Sequence, residues 1–581
     1  MALITTLALA ATLFQYTEHD QGPNQIPLGY PVPVPVDSLT PVPGFRSYQA
    51  LNQRHQSLVD ASRVHGHTLG ETLEGRLLPA YQFGDADILT PSGATEGAAI
   101  IVGGIHAREW QSPEAVSYLL ESLALGEPDP GLADYLADSL DLYLVPVLNI
   151  DGLLQTQRYP ARVSQSADTP REGRMRRKNL HGADNDITTD QDNLEGVDLN
   201  RNNSPYWATS SGSSDDPQSL VYHGTGPASE PEIQALAGLA TLAGRQRLRL
   251  YIDTHSFSQL YFAARTGQAS RDNRTDRLAA WMRGVNGNKY AYSPSQAGAG
   301  IGTTEEFFAN SYDIPAYTLE IEPRQSAAQY GGNGVSHDGF ILPEAEVPRM
   351  RDEIRLSYLA GLYAVAGPPV LEGLTVTAPD SGQLLYQGLW QGDGSRRQLV
   401  KEAGPLPSPG QLVRLTLQFD KPMRLALLGQ SGPSAPALGL ITPDASFPLD
   451  SSGGRWLMAD DGGYRRYPGD TFTLDIQWPQ LPGDSQLLAL AVTVGDALGQ
   501  QLDSNPASTA HWRNGQWLGY EDDDGDSGDR GGSDRSQRLL DDGSPLFPPP
   551  PPPPPSSGGG GGGALSWLLA LLGCAGARRK L

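Results

Sequence analysis

The chain has 581 residues, with 42 Lys and Arg against 66 Asp and Glu and a formal charge of −24 at pH 7. So acidic a chain lacks the basic face that phosphate neutralisation needs, which excludes nucleic acid as its main partner. Its single cysteine, Cys574, closes no internal disulfide and rules out zinc sites built on two or more thiolates, so any bound metal falls to the ten histidines and the carboxylates.

In chain order, residues 1–15 contain the short apolar run Leu3–Phe14 and read as a secretory signal segment, although no Lys or Arg precedes the run. A disordered terminus is the alternative. Residues 21–45, with Pro31-Val32-Pro33-Val34-Pro35, read as extended. Residues 46–366 alternate strand and helix patterns and predict one α/β domain. Within it, Ala98–Val102 is a buried strand, and Gly103-Gly104-Ile105 turns the chain before His106-Ala107-Arg108-Glu109. Ser112 then reads as an N-cap and Pro113 as the first residue of a helix running to Leu123. Leu248–Thr254 is a second strand, ending at His255, and Ala316–Leu319 is a third, ending at Glu320. Gly367-Pro368-Pro369 breaks the pattern, and short apolar runs such as Leu412–Phe419 and Thr471–Ile476 predict a β-sandwich over 370–520.

Residues 521–563 read as an acidic, Pro- and Gly-rich linker; its Asp522–Asp526 run lacks the closing Glu of a calcium loop. Residues 564–581 hold fourteen mostly apolar positions, Ala564–Ala577, and a basic end, Arg578-Arg579-Lys580. That is short of the roughly 20 residues of a permanent membrane span.

His106 and Glu109 alone are a weak signal, because a His and a Glu three apart recur by chance. His255 strengthens it. All three sit at the carboxyl ends of predicted strands, where open α/β sheets gather ligand sites, and two imidazoles with one carboxylate suit zinc with an open fourth position.

Further segments follow in a fixed order: Gly70-Glu71-Thr72-Leu73-Glu74-Gly75-Arg76, Val145–Gly152, Arg177-Lys178-Asn179, Gly196–Asn202, Ser229-Glu230-Pro231-Glu232, His255-Ser256 and Ala316–Glu320. Over residues 48–366 the chain resembles the zinc metallocarboxypeptidases of the carboxypeptidase A/B type. The resemblance implies a mixed, doubly wound sheet with helices on both faces and one Zn2+ held by His106, Glu109 and His255. It implies hydrolysis of the C-terminal bond of peptides or proteins, with Glu320 as general base and Arg177 facing the developing oxyanion. Asn200 and Arg201 would hold the substrate carboxylate, and Arg108 would add positive field.

The pattern departs from the family at the mobile substrate-capping tyrosine: the simplest register puts Ser295–Ala297 there, and Tyr292 serves only with an insertion. Phe257 stands where a tyrosine is common. At the base of the side-chain pocket, Thr304 would suit neutral residues and Glu305, one step on, would select Lys or Arg. Residues 161–195 read as an inserted loop near the cleft.

The tail resembles the Gly-Gly carboxy-terminal sorting tails of Gram-negative bacteria, which implies export, transient anchoring, and processing by a rhomboid-like protease. A low-complexity linker with a plain membrane tail is the alternative. Two other functions stay open: a zinc amidase or deacylase acting, for example, on peptidoglycan fragments, and a non-catalytic surface-binding protein.

Overall fold

A computed structural model describes residues 44–519 except 60–62, 92–93, 159–175, 184–194, 325–338, 341, 393–396, 404–406, 428–434, 442–445, 482–486, 503–509 and 514–515. The expected signal segment, acidic linker and tail, nearly all of the Pro-rich segment, and most of the expected insertion lie outside the described residues.

Eight strands form one mixed sheet: β1 (Val64–Glu71), β2 (Leu77–Phe83), β3 (Gly97–Val102), β4 (Leu140–Val145), β5 (Leu248–Ser256), β6 (Leu260–Ala263), β7 (Ala291–Pro294) and β8 (Ala316–Ile321). Their spatial order is β1-β2-β4-β3-β5-β8-β6-β7, with β4, β3, β5 and β8 parallel. These four are apolar on both faces, as strands covered on both sides must be, whereas the antiparallel edge strand β1 is largely exposed. Successive residues point to opposite faces. Ile101 and Ile252 join a core with helices α2 (Gln111–Leu125), α6 (Ala269–Gly284) and α8 (Val347–Val365) through Leu119, Leu278 and Leu362. Ile100 and Tyr251 join the other core, with α5 (Pro231–Leu242) and α7 (Thr304–Tyr312) through Leu236 and Phe308. The helices α1 (Tyr48–Val59), α3 (Pro130–Ala137) and α4 (Ile150–Arg158) complete the layers, giving the doubly wound α/β domain expected from sequence.

After α8, two antiparallel sheets of six and five strands share one core, in which Leu374, Leu415 and Phe472 of one meet Leu438, Leu440 and Leu490 of the other. This sandwich is fused to the α/β domain by buried contacts. Tyr467 packs edge-on to Tyr135 and donates its hydroxyl to Asp138 Oδ2 at 2.8 Å. Lys421, fully buried, donates to Gly367 O at 2.7 Å and to Asp496 Oδ2 at 2.8 Å, with its ammonium 3.6 Å from the Tyr363 ring centre. Among the described residues no helix is long and apolar enough to cross a membrane.

Candidate active site

β3 delivers its loop into a tight space. A Cβ on Gly103 would lie 2.9 Å from the carbonyl oxygens of Pro146 and Ser112, and Gly104 takes φ +65°. Glycine is needed at both positions, for closeness at the first and for handedness at the second. Ser112 then pins the loop: its Oγ accepts from Gly104 N at 3.0 Å and donates to Glu109 O at 2.9 Å. This corrects the capping role expected of Ser112. The helix begins at Gln111, and Trp110 at its N-cap makes no side-chain cap bond.

The pinned loop sets His106 Nδ1 2.9 Å from Glu109 Oε1. β5 brings in His255 from 146 residues away, with Nδ1 3.0 Å from His106 Nδ1 and 3.0 Å from Glu109 Oε2, and Ser256 N donates to that same oxygen at 3.1 Å. All three side chains are buried. The outward nitrogens are also engaged. His106 Nε2 lies 3.0 Å from Asp198 Oδ1, and His255 Nε2 2.7 Å from Asp253 Oδ2. Burial alone would raise the Asp198 pKa, but Arg177 and His106 outweigh it and hold the carboxyl well below its ordinary range. Each imidazole thus has a carboxylate at both ring nitrogens; donation from Nε2 to the outer acid turns each Nδ1 lone pair into the shared space, the tautomer that metal binding there requires.

Two such lone pairs 3.0 Å apart beside a carboxylate repel unless positive charge lies among them. The donor atoms all lie within 4.8 Å of one another, and this set of two nitrogens and a carboxylate fits zinc. Bound there, the metal supplies a water of lowered pKa and polarises a carbonyl.

Glu320 of β8 is the direct parallel partner of His255. Its Oε2 is enclosed and has no hydrogen-bond partner, and burial followed by the Glu109 charge pushes its carboxyl up to about 7. Arg177 donates from Nε and Nη2 to Asp198 Oδ2 at 3.0 and 2.9 Å, while its Nη1 lies 3.1 Å from His106 Nδ1. Its neighbours face elsewhere. Arg176 donates to the carbonyls of Asn179 and Glu195, and Lys178 to those of Pro217 and Ser219.

The remaining expected residues divide. Asn200 lies beside the cluster but faces inward, its Oδ1 accepting from Thr304 N at 2.9 Å. Arg201 donates from Nε to Gly212 O and from Nη1 to Asn200 O, so its fork is not presented whole, and among the described residues Nη2 is the nitrogen with no such bond. Arg108 lies with its guanidinium 4.2 Å from the Phe340 ring centre, and Phe340 packs edge-on against Phe257.

Thr304 is not a pocket base. It is fully buried, and its Oγ1 donates to Asp253 Oδ2 at 2.8 Å, bracing the acid that orients His255. Glu306 is committed as well, its Oε2 accepting from Gly302 N and Thr303 N at 2.8 and 2.9 Å. Glu305 is left. Its Oε2 accepts from Thr318 Oγ1 at 2.9 Å, two residues before Glu320 on the same face of β8. Tyr292 also departs from expectation. It sits on the short strand β7 and donates its hydroxyl to Asp276 Oδ1 at 2.6 Å, held there by an acid on α6 rather than by any residue of the cluster.

Two acids escaped the sequence reading, Asp198 and Asp253. Asp253 carries a signal: it precedes His255 by two on a strand and so shares its face. Asp198 carries none, since a loop has no fixed period.

The zinc carboxypeptidase family model matches residues 48–356, which is 309 of 581 positions. Carboxypeptidase O of Bos taurus is 27% identical over 325 residues, covering 54% of this chain and 76% of its own. Metallocarboxypeptidase A of Trichophyton tonsurans is 28% identical over 331 residues, covering 55% and 69%. Among solved structures, the carboxypeptidase A of Helicoverpa armigera gives a TM-score of 0.44 at 20% identity, covering 63% of this chain and 81% of that one. With the family model spanning half its length, and with His106, Glu109 and His255 gathered into a group that can hold a metal ion, the chain belongs to the zinc carboxypeptidase family and is a metal-dependent peptide-bond hydrolase.

Proposed function

We propose that the enzyme removes single residues from peptide C-termini, and that it prefers Lys or Arg at the last position. The observation that carries this preference is Glu305, a buried carboxylate whose side-chain donors are threonine hydroxyls, with no Lys or Arg ion-paired to it among the described residues. Burial and then the neighbouring Glu306 push its carboxyl up to about 7, the behaviour of an acid short of positive charge. A substrate ammonium or guanidinium supplies that charge with a directed hydrogen bond.

In this reading the remaining N–H groups of Arg201 meet the substrate carboxylate, which restricts cleavage to chain ends. Glu320 takes a proton from water and returns it to the departing amine. Arg177, fixed by Asp198 through Nε and Nη2, offers Nη1 to charge developing on the scissile carbonyl oxygen once metal takes the His106 Nδ1 lone pair that Nη1 faces here.

The test compares one peptide ending in Arg, Leu or Arg-amide. Release of Arg well above Leu, with the amide inert, is expected. Cleavage of the amide at the rate of the free acid would remove the exopeptidase reading in favour of an amidase, and equal rates for Arg and Leu would remove the role of Glu305.

The two ends of the chain support export and surface display: an apolar start, six glycines Gly558–Gly563, a short apolar stretch and a basic end. Processing by a rhomboid-like protease predicts a mature chain ending near the glycines. Intact-mass measurement of exported protein checks this, and recovery of Leu581 would contradict it.

A further inference from the structure

Away from the zinc ligands, a second set of carboxylates meets where the chain returns into β3. After β2 it runs through Asp85 and Asp87, and Glu96 stands immediately before Gly97, the first residue of β3. Oxygens of Asp85, Asp87 and Glu96 lie within 4.8 Å of one another. Backbone bonds hold this loop in shape: Asp87 N donates to Asp85 Oδ1 at 2.9 Å, Leu89 N to Asp87 Oδ1 at 2.7 Å, and Glu96 N to Ile88 O at 2.9 Å.

Glu96 is the unusual member. It is 0% exposed, and neither of its carboxylate oxygens has a hydrogen-bond partner. Beside it lies Asp141 of β4, also buried, with Oδ1 accepting from Gln82 Nε2 at 2.7 Å and Oδ2 2.6 Å from Arg247 Nη1. That guanidinium is paired with Asp141, and among the described residues no Lys or Arg is ion-paired with Glu96. Burial, then Asp141, Asp85 and Asp87, push the Glu96 carboxyl up to about 9. A buried carboxylate with both oxygens bare is costly unless a proton or a cation neutralises it.

We propose that Asp85, Asp87 and Glu96 form a calcium site that ties the β2–β3 loop to the base of the strand leading to His106. The donors are all hard oxygens, with no imidazole or thiolate, which argues against zinc. Calcium takes six to eight oxygens in a flexible geometry that three carboxylates at a partly exposed loop and water can supply, whereas magnesium demands a near-ideal octahedron. Asp87 is exposed and Asp85 half-buried, so the ion has a path from solvent and water completes its shell.

The test uses the zinc-loaded full chain, stripped of other divalent ions and titrated with CaCl2 by calorimetry and by thermal melting, with MgCl2 in parallel. Calcium at about 100 times its Kd should raise Tm by about 4 °C. The Glu96→Gln variant and the Asp85→Asn/Asp87→Asn double variant should lose that shift and bind at least about tenfold more weakly. Asparagine at Asp522, Asp523, Asp524 and Asp526 should leave the shift in place, separating this site from the acidic linker. If Glu96→Gln fails to fold, the double variant decides. An equal calcium response in wild type and the double variant, no response at all, or an equal response to magnesium would overturn the proposal.

Discussion

Replacing Asp253 with asparagine removes a charge while keeping a shape. Asp253 Oδ2 accepts from His255 Nε2 at 2.7 Å and from Thr304 Oγ1 at 2.8 Å, and a carboxamide oxygen in that place accepts both bonds. Its Oδ1 has no partner, so the amide nitrogen displaces no existing bond. What is lost is the negative charge that makes His255 Nδ1 a better donor to metal. Loss of such an outer partner weakens zinc binding about 10- to 100-fold, or about 1.4–2.7 kcal/mol. Zinc affinity read by competition with a chromophoric chelator near neutral pH should show this drop while the melting temperature of the metal-free protein changes little. Asp253→Ala should lose more, because Thr304 and His255 both lose their acceptor. A zinc affinity within twofold of wild type for Asp253→Asn would refute the reasoning, since the carboxylate would then not be what sets His255.

Three further outcomes are expected. Glu320→Gln should keep zinc and lose about 10²- to 10⁴-fold in kcat, measured on a peptide ending in Arg. Its raised carboxyl pKa means that the base is protonated, and idle, as pH falls below about 7 in the metal-free site; bound zinc lowers that value. The acid limb of kcat/KM should therefore lie between the ordinary carboxylate value and about 7, and should be absent in the residual activity of Glu320→Gln. Glu305→Gln should cut the Arg-over-Leu ratio of kcat/KM by about 30-fold or more, about 2 kcal/mol, with little change on Leu; an unchanged ratio contradicts the pocket assignment. Lys421→Met leaves Asp496 buried and charged, and should cost about 3–5 kcal/mol in urea unfolding while zinc affinity holds.

The parts of the site that lie on regular elements were legible in the sequence. Strands β3, β5 and β8 announce themselves as apolar runs, and their carboxyl ends place His106, His255 and Glu320 together. What failed was phase where no period applies. Thr304 and Glu305 are adjacent at the start of α7, and only the fold decides which faces the cleft. The Thr303-Thr304-Glu305-Glu306 sequence did hold a clue, because a residue three past a helix start that reaches back to the loop amides commits Glu306 and leaves Glu305 free. Ser112 departs from its expected role because its hydroxyl is used for tertiary pinning of the ligand loop, which local capping patterns do not encode. Tyr292 suggests itself only by its nearness in sequence to the expected cap, and a neighbouring acid on α6, invisible to that argument, holds it elsewhere.

Catalysis of this kind requires His106, Glu109 and His255 to share one zinc ion, and metal analysis tests that most directly. Dialysed wild-type protein and Glu320→Gln should each carry one zinc per chain, while His106→Ala and His255→Ala should carry almost none. A His106→Ala protein that is folded and still holds one zinc would contradict it.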